Sequence, residues 1–529
     1  MSGSETGVRS VRAYLRSRGR APVSLADRYV TVFGLAMLVA VAGQPISTMV
    51  GGLAGSAEPG RMGAGVALVS LAMAGFLAVA RAAGPVLLPA PDATWLLLSP
   101  LDRRHLLGRT ARALTAVAVV AGLLLGLCAL AVLGAPDQLV WRLLAALALG
   151  VSAAVGGMAL AVLGQASPPW QVWLTAAIAA LVVLAVVAMS GQLRSALAVA
   201  AGAPLPAVAA AVAGGAVLSG LLAGRAWAAL GRIPARTLVS ASTRVGHVAN
   251  ATVTLDPGAL TWIAEDNHWR ARKLGSRRWP SLPAPLALAW QDWLRLARRP
   301  RRLATMTATA ALPAVLAQAG VTSVALWAAV LAGALAVACT GVTGARRDND
   351  NPAMARLIGV GRRPALATRA ALPTLLSAAW TALALAGPVL IDGGFPGADA
   401  VAGGPLPAET ATGGAWAGEA VAGGLWSGAW WLLGPLVAPA LAAGALRMAR
   451  RSPVDHSMPV IDTPAGSIPT GPLIWAVTGA DLAVLGCLPA LSAPLVPANG
   501  LGALLAVQGV VSVLILAGYV LRAGTGKPG

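Results

Sequence analysis

Few side chains in this sequence could do chemistry, and they are of two kinds. One kind is the arginine pair set between apolar runs: Arg103-Arg104 and Arg362-Arg363. The other is a single carboxylate, Asp481, inside an uncharged window. An ionisable group at membrane depth marks a functional position, here a substrate or proton site or a hydrogen bond to a neighbouring helix. Paired arginines beside apolar side chains suit contact with a soluble partner or with anionic lipid heads. Enzyme signatures are missing. The sequence has no G-x-x-x-x-G-K-[ST] phosphate loop, no H-E-x-x-H and no G-x-S-x-G, so it is read as a non-enzyme that cannot hold ATP in the P-loop manner. Cys128, Cys339 and Cys487 lie far apart in apolar runs, and His105, His247, His268 and His456 lack ligand spacing, so neither metal nor cofactor is expected.

The first arginine pair sits in WLLLSPLDRRHLLGRTAR, Trp95 to Arg112. Trp95, Leu97 and Leu98 form a short apolar element. Ser99 then offers an N-cap, Pro100 fits the first helical position, and Asp102 falls three residues after the cap. Leu101, Leu106 and Leu107 can line one side of the helix that follows, with Arg103, Arg104 and Arg109 as its cationic heads. A second copy follows at a constant offset of 259 residues: Leu98, Arg103-Arg104 and Leu107 match Leu357, Arg362-Arg363 and Leu366.

These loops need a membrane scaffold. Of 529 residues, 57% are hydrophobic and 11% charged, and mean hydropathy is +0.74. A soluble domain carries about a quarter charged residues, so this chain lacks the polar surface to stay in water. Uncharged windows predict twelve spans of about 20 residues each. They fall in Tyr29–Ser56, Met62–Ala80, Ala113–Pro136, the two parts of Leu143–Leu193 divided at Ser167-Pro168-Pro169, and Ser195–Gly224. The second six are the two parts of Leu303–Gly344, then Ala370–Ile391, Ala420–Leu446, Pro472–Leu491 and Leu501–Leu521. The expectation is an all-α polytopic protein of the inner, cytoplasmic membrane.

Net charge is +20, but aromatic base-stacking motifs are missing from the basic blocks, so nucleic acid is not an expected partner. The charge instead sets orientation. With both termini inside, 36 Lys and Arg face the cytoplasm and only Arg61, Arg142 and Arg194 lie outside. Trp170, Trp173, Trp227 and Trp475 fall near predicted inner boundaries, and Trp416, Trp426, Trp430 and Trp431 near an outer one, as in an aromatic belt. Within residues 286–299 one helical face carries Leu286, Trp290, Trp293, Leu294 and Ala297, and the other Asp292, Arg295, Arg298 and Arg299. That pattern predicts a helix lying in the membrane interface. Each half thus offers a basic amphipathic segment, two spans, an Arg-Arg loop and four more spans. The expected organisation is two parallel repeats, residues 1–257 and 258–529.

In this pattern the chain resembles the permease subunits of ABC-2-type exporters, the type V transporter fold, in a fused two-repeat form. Pro100-Leu101-Asp102-Arg103-Arg104 with Leu106-Leu107 is similar to the P-[LV]-S-R-R-x-L-L sequence of such bacterial permeases, with Asp102 in the small-polar place. The chain also looks like a family of uncharacterised twelve-span bacterial proteins. The resemblance implies connecting helices at Val8–Arg20 and Leu286–Arg299, and coupling loops at Trp95–Arg109 and Ala355–Arg369. It further implies a separate ABC ATPase as partner beside the membrane lipids, and export of a substrate that the chain does not name. Gly361 and Pro364 around the second arginine pair depart from the pattern and put coupling through that loop in doubt. Two other readings stay open: a secondary transporter of the major facilitator type, and a non-transporting scaffold or immunity protein.

Overall fold

The computed structural model describes residues 59–86, 103–135, 137–239 apart from 236, 242, 280–391 apart from 320 and 322, 429–452, 460–463, 466–469, 474–493 apart from 476, and 500–522. The chain divides into two compact units, Met1–Val245 and Gly246–Gly529.

In the first unit, α1 (Pro59–Ala83), α2 (Arg103–Leu133), α3 (Leu139–Ala166), α4 (Pro168–Met189), the short α5 (Arg194–Ala201) and α6 (Leu205–Ala229) follow one another. Proline opens several of them. Pro168 and Pro169 start α4, and Pro204 caps α6. A first-turn proline gives up only an N–H that the helix could not have used. The central helix is α3, which packs on α2, α6 and α4, while α1 lies against α4, α2 and α3. The α2–α3 crossing is close because Gly122 and Gly126 face Gly150. A Cβ on Gly150 would run into the backbone of both. Four-residue glycine spacing of this kind lets helix backbones touch in lipid. Val79, Val120, Leu124, Val172 and Val186 are exposed on these helices. Such apolar outer faces need hydrocarbon around them.

The second unit runs α7 (Ala284–Ala297), α8 (Pro300–Thr309), α9 (Leu312–Gln318), α10 (Ser323–Thr340), α11 (Thr343–Asp350), α12 (Pro352–Leu357) and α13 (Arg362–Ile391). Then come α14 (Leu433–Ala449), the hairpin β1–β2 (Val460–Thr463 and Gly466–Pro469), α15 (Ala480–Gly486), α16 (Leu488–Leu491) and α17 (Leu501–Arg522). The hairpin is antiparallel, with Ile461 opposite Ile468, and departs from an all-α chain. Here α14 is central, nearly every residue buried. It packs on α13, α17, α15 and α10.

Among the described residues, eight helices are long and apolar enough to cross a membrane: α1, α2, α3, α4, α6, α13, α14 together with the turn before it, and α17. A ninth would be α10 with α11, which bend by 54° at Gly341-Val342. Of the expected twelve, Tyr29–Ser56 lies outside the described residues, the Leu303 window is split into α8 and α9, and Pro472–Leu491 is broken into short pieces. In α8, Thr305, Thr307 and Thr309 turn their hydroxyls onto their own preceding carbonyls. That habit weakens and bends helices.

Candidate functional site: the arginine-rich end of the second unit

Arg103-Arg104 lie in the first described turn of α2, and Arg362-Arg363 open α13, 259 residues further on. One turn on, Leu107 and Leu366 are both buried. The arginines themselves differ. Arg104 lies over the end of α6, its Nη2 donating to the Ala228 carbonyl at 3.3 Å and its stem against Gly231. Arg103 is half-buried, whereas Arg362 and Arg363 are both exposed. The remaining residues of the first loop, Trp95, Leu97, Leu98, Leu101 and Asp102, lie outside the described residues.

In the second unit the loop before α13 is built on a buried charge network. Arg369 of α13 reaches two other elements. Its Nη1 pairs with Asp292 of α7 at 2.6 Å, and its Nε and Nη2 grip the Asp348 carboxylate of α11 at 3.0 and 3.1 Å. It also donates to the Leu288 carbonyl at 3.4 Å. Gly344 makes room for this, since a Cβ there would occupy the place of the Arg369 guanidinium and the Asp292 carboxylate. Asp292 Oδ2 accepts no hydrogen bond among the described residues. Burial pushes the Asp292 carboxyl above the ordinary carboxylate range, against the pull of Arg369 and Arg295. A buried pair of this kind fixes geometry more than it adds stability.

This corrects the sequence reading of α7. Asp292 is not on a solvated face but buried with Leu288 and Leu296, while Leu286, Trp290 and Trp293 are the exposed side. The periodicity finds two faces and cannot say which one meets protein. The tryptophan belt needs a similar correction at Trp430, which is buried and meets Trp327 edge-on with ring centroids 6.1 Å apart.

Beside the network, a cavity of about 780 Å³ is walled by α11, α12, the Ile358–Gly361 turn, the start of α13, and Arg450 after α14. Arg356, Arg362, Arg369 and Arg450 line it, and among the described residues its one carboxylate is Asp348. Next to it Leu357 is 82% exposed. The turn closes through Gly359 at φ +72°, a left-handed conformation that glycine adopts without strain.

Asp481 sits elsewhere, at the first turn of α15, not in the middle of a continuous span. Its Oδ1 accepts from the N–H groups of Gly479 (2.7 Å) and Leu482 (2.8 Å), and its Oδ2 pairs with Arg447 at 2.8 Å. It is a paired helix-start residue. The break that follows is bridged by a residue the sequence reading passed over. Gln508 of α17 is fully buried, donates to the Gly486 carbonyl (2.8 Å) and accepts from the Ala490 N–H (2.9 Å). Those are the two groups that a continuous helix would have joined, so the amide is inserted into the ladder. Pro489, unable to donate, accounts for the break.

The long apolar helices and their apolar outer faces define an integral membrane protein of the polytopic helical class. More narrowly, residues 57–423 match a family of unknown function (DUF6297), and the chain belongs to that family. No curated protein and no solved structure matches it.

Proposed function

We propose that the protein is the permease of an ATP-driven exporter of the cytoplasmic membrane, with two parallel six-span repeats and a separate ATPase docked on the loops that precede α2 and α13. The observation that carries this reading is the paired construction of those helices. Both carry Arg-Arg at one constant offset, and both bury a leucine one turn later. The neighbours agree as well: α2–α3–α6 in the first unit corresponds to α13–α14–α17 in the second, with α4 and α15 on the central helix of each. Both termini are inside in this reading, and the arginine-rich end is cytoplasmic.

Leu357 is the position that matches Leu98 of the first loop, and its exposure supports docking through an apolar anchor beside cationic residues. Arg362 and Arg363 then orient the partner and speed its approach. Leu357→Asp and Leu98→Asp should each reduce capture of the proposed partner ATPase by tenfold or more, about 1.4 kcal/mol per factor of ten. Arg363→Ala should weaken capture in a salt-dependent way. Normal capture by both correctly inserted leucine variants would place docking elsewhere, and robust ATP hydrolysis by the purified chain alone would end the reading.

A further inference from the structure

The cavity of about 780 Å³ in the second unit has a charge imbalance that its own wall does not cancel. Asp348 is taken up by both edges of the Arg369 guanidinium. Arg369 is shared further with Asp292. Arg450 touches the Tyr519 hydroxyl, a neutral partner. Arg356 and Arg362 have no carboxylate partner among the described residues, and both are exposed toward the opening. Three guanidinium groups therefore converge on one space without a matching anion. The volume lies within the range of about 300–1,000 Å³ usual for small-molecule sites.

The rest of the wall selects among anions. Its lining also has an aliphatic part, with Leu288, Pro352, Ile358 and Leu366. Among the described residues no aromatic side chain lines it, so a nucleobase would find nothing there to stack on. Leu288 belongs to α7, whose other side presents Trp290 and Trp293 outward. Exposed tryptophans on an amphipathic helix settle at headgroup depth, which sets the cavity at that level. Leu357 adds an exposed apolar residue beside it.

We infer that this cavity binds a phosphate ester, with Arg356, Arg362 and Arg450 on the phosphate and the aliphatic wall against the carbon skeleton, and that an anionic phospholipid headgroup is its source. The inference does not depend on an ATPase or on the transported substrate. Guanidinium groups suit the phosphate because their planar fork donates two parallel hydrogen bonds.

The test uses the full chain, purified in neutral detergent and followed by tryptophan fluorescence during thermal unfolding. Mixed micelles containing phosphatidylglycerol should raise the midpoint by several degrees, and phosphatidylcholine should not. The Arg356→Ala/Arg362→Ala pair should lose about 10–100-fold in apparent affinity for phosphatidylglycerol, the range expected from charge-assisted contacts. Its midpoint without lipid reports whether it has folded, and Arg356→Lys/Arg362→Lys should recover part of the response. Arg194→Ala, an exposed arginine outside the cavity, should respond like the unaltered chain. A separate arm adds inorganic pyrophosphate without lipid. An arginine-dependent shift there would keep the phosphate chemistry and assign it to a soluble ligand, overturning the lipid source. Equal responses to both lipids, or an unchanged response in Arg356→Ala/Arg362→Ala, would overturn the site altogether.

Discussion

In the first unit the tightest helix contact, at Gly122, Gly126 and Gly150, is made by residues that have no side chain. The second unit has glycine contacts of the same kind, Gly434 against Ala378 and Ala382 and Gly444 against Gly479 and Ala483, but adds polar side-chain bridges: Arg369 with Asp292 and Asp348, Gln508 with Gly486 and Ala490, and Trp380 with Thr309. The first unit accordingly keeps α1, α2, α3, α4 and α6 long and unbroken, whereas the second breaks its spans at α8–α9, α10–α11 and α15–α16. A helix closes its own hydrogen bonds and can face lipid or another helix indifferently. A broken helix exposes donors and acceptors that only a specific partner can answer, so breaks and buried polar side chains come together. Among its described residues the first unit has two polar devices of this kind. Arg142 at the start of α3 pairs with Asp137 and donates to the Ala201 and Ala203 carbonyls at 3.0 and 3.2 Å. The other is Gln165, whose amide both accepts from the Val86 N–H and donates to its carbonyl at 3.0 and 3.1 Å. Gln165 acts at the end of α3, beside a polar cavity of about 200 Å³, and not within a span.

The contrast breaks first at Arg369. Arg369→Ala leaves Asp292 buried beside Asp348 with no cation between them, which should cost about 3–5 kcal/mol. Thermal unfolding of the purified chain measures this, and a loss below about 1 kcal/mol would mean that the network does not hold the second unit together. Next comes the pair of glutamines. Gln508→Leu orphans a carbonyl and an N–H in an apolar interior, at about 1–3 kcal/mol for each unsatisfied group. Gln165→Leu should cost less, because water can reach its partners through the adjoining cavity. Equal losses in the two variants would erase the distinction between a bridged break and a bridged helix end. The smallest effect is expected in the first unit itself. Gly150→Ala pushes α2 and α3 apart at a cost of about 1–3 kcal/mol, the range for overpacking. Cysteine cross-linking across that crossing should show the helices separated rather than unfolded.

Much of the scaffold could be read in advance. Uncharged windows mark α1, α2, α3, α4, α6, α13, α14 and α17, and Ser167-Pro168-Pro169 marks the start of α4 where the structure has it. Other features were hidden for a physical reason. Hydropathy treats Pro472–Leu491 as one apolar stretch, because the residue that makes its break tolerable lies in the following helix. Gln508 itself is uncharged and disappears into its own window. Asp292 reads as a surface residue until Arg369, far along the chain, is placed against it. The cavity likewise depends on α7, α11, α12 and α13 meeting, which no local pattern announces.

Gln508 also bears on how the chain is made. Synthesis delivers α15 and α16 before α17, so the segment from Ala480 to Leu491 leaves the ribosome with a gap in its hydrogen-bond ladder and nothing to fill it. Such a segment has no stable resting place in lipid by itself. It must wait in the insertion machinery, or at the headgroup layer, until the last helix arrives and threads its amide into the gap. The second unit is therefore completed from its C-terminal end backwards. Until that moment the carbonyl of Gly486 and the amide of Ala490 lack the partner that Gln508 gives them.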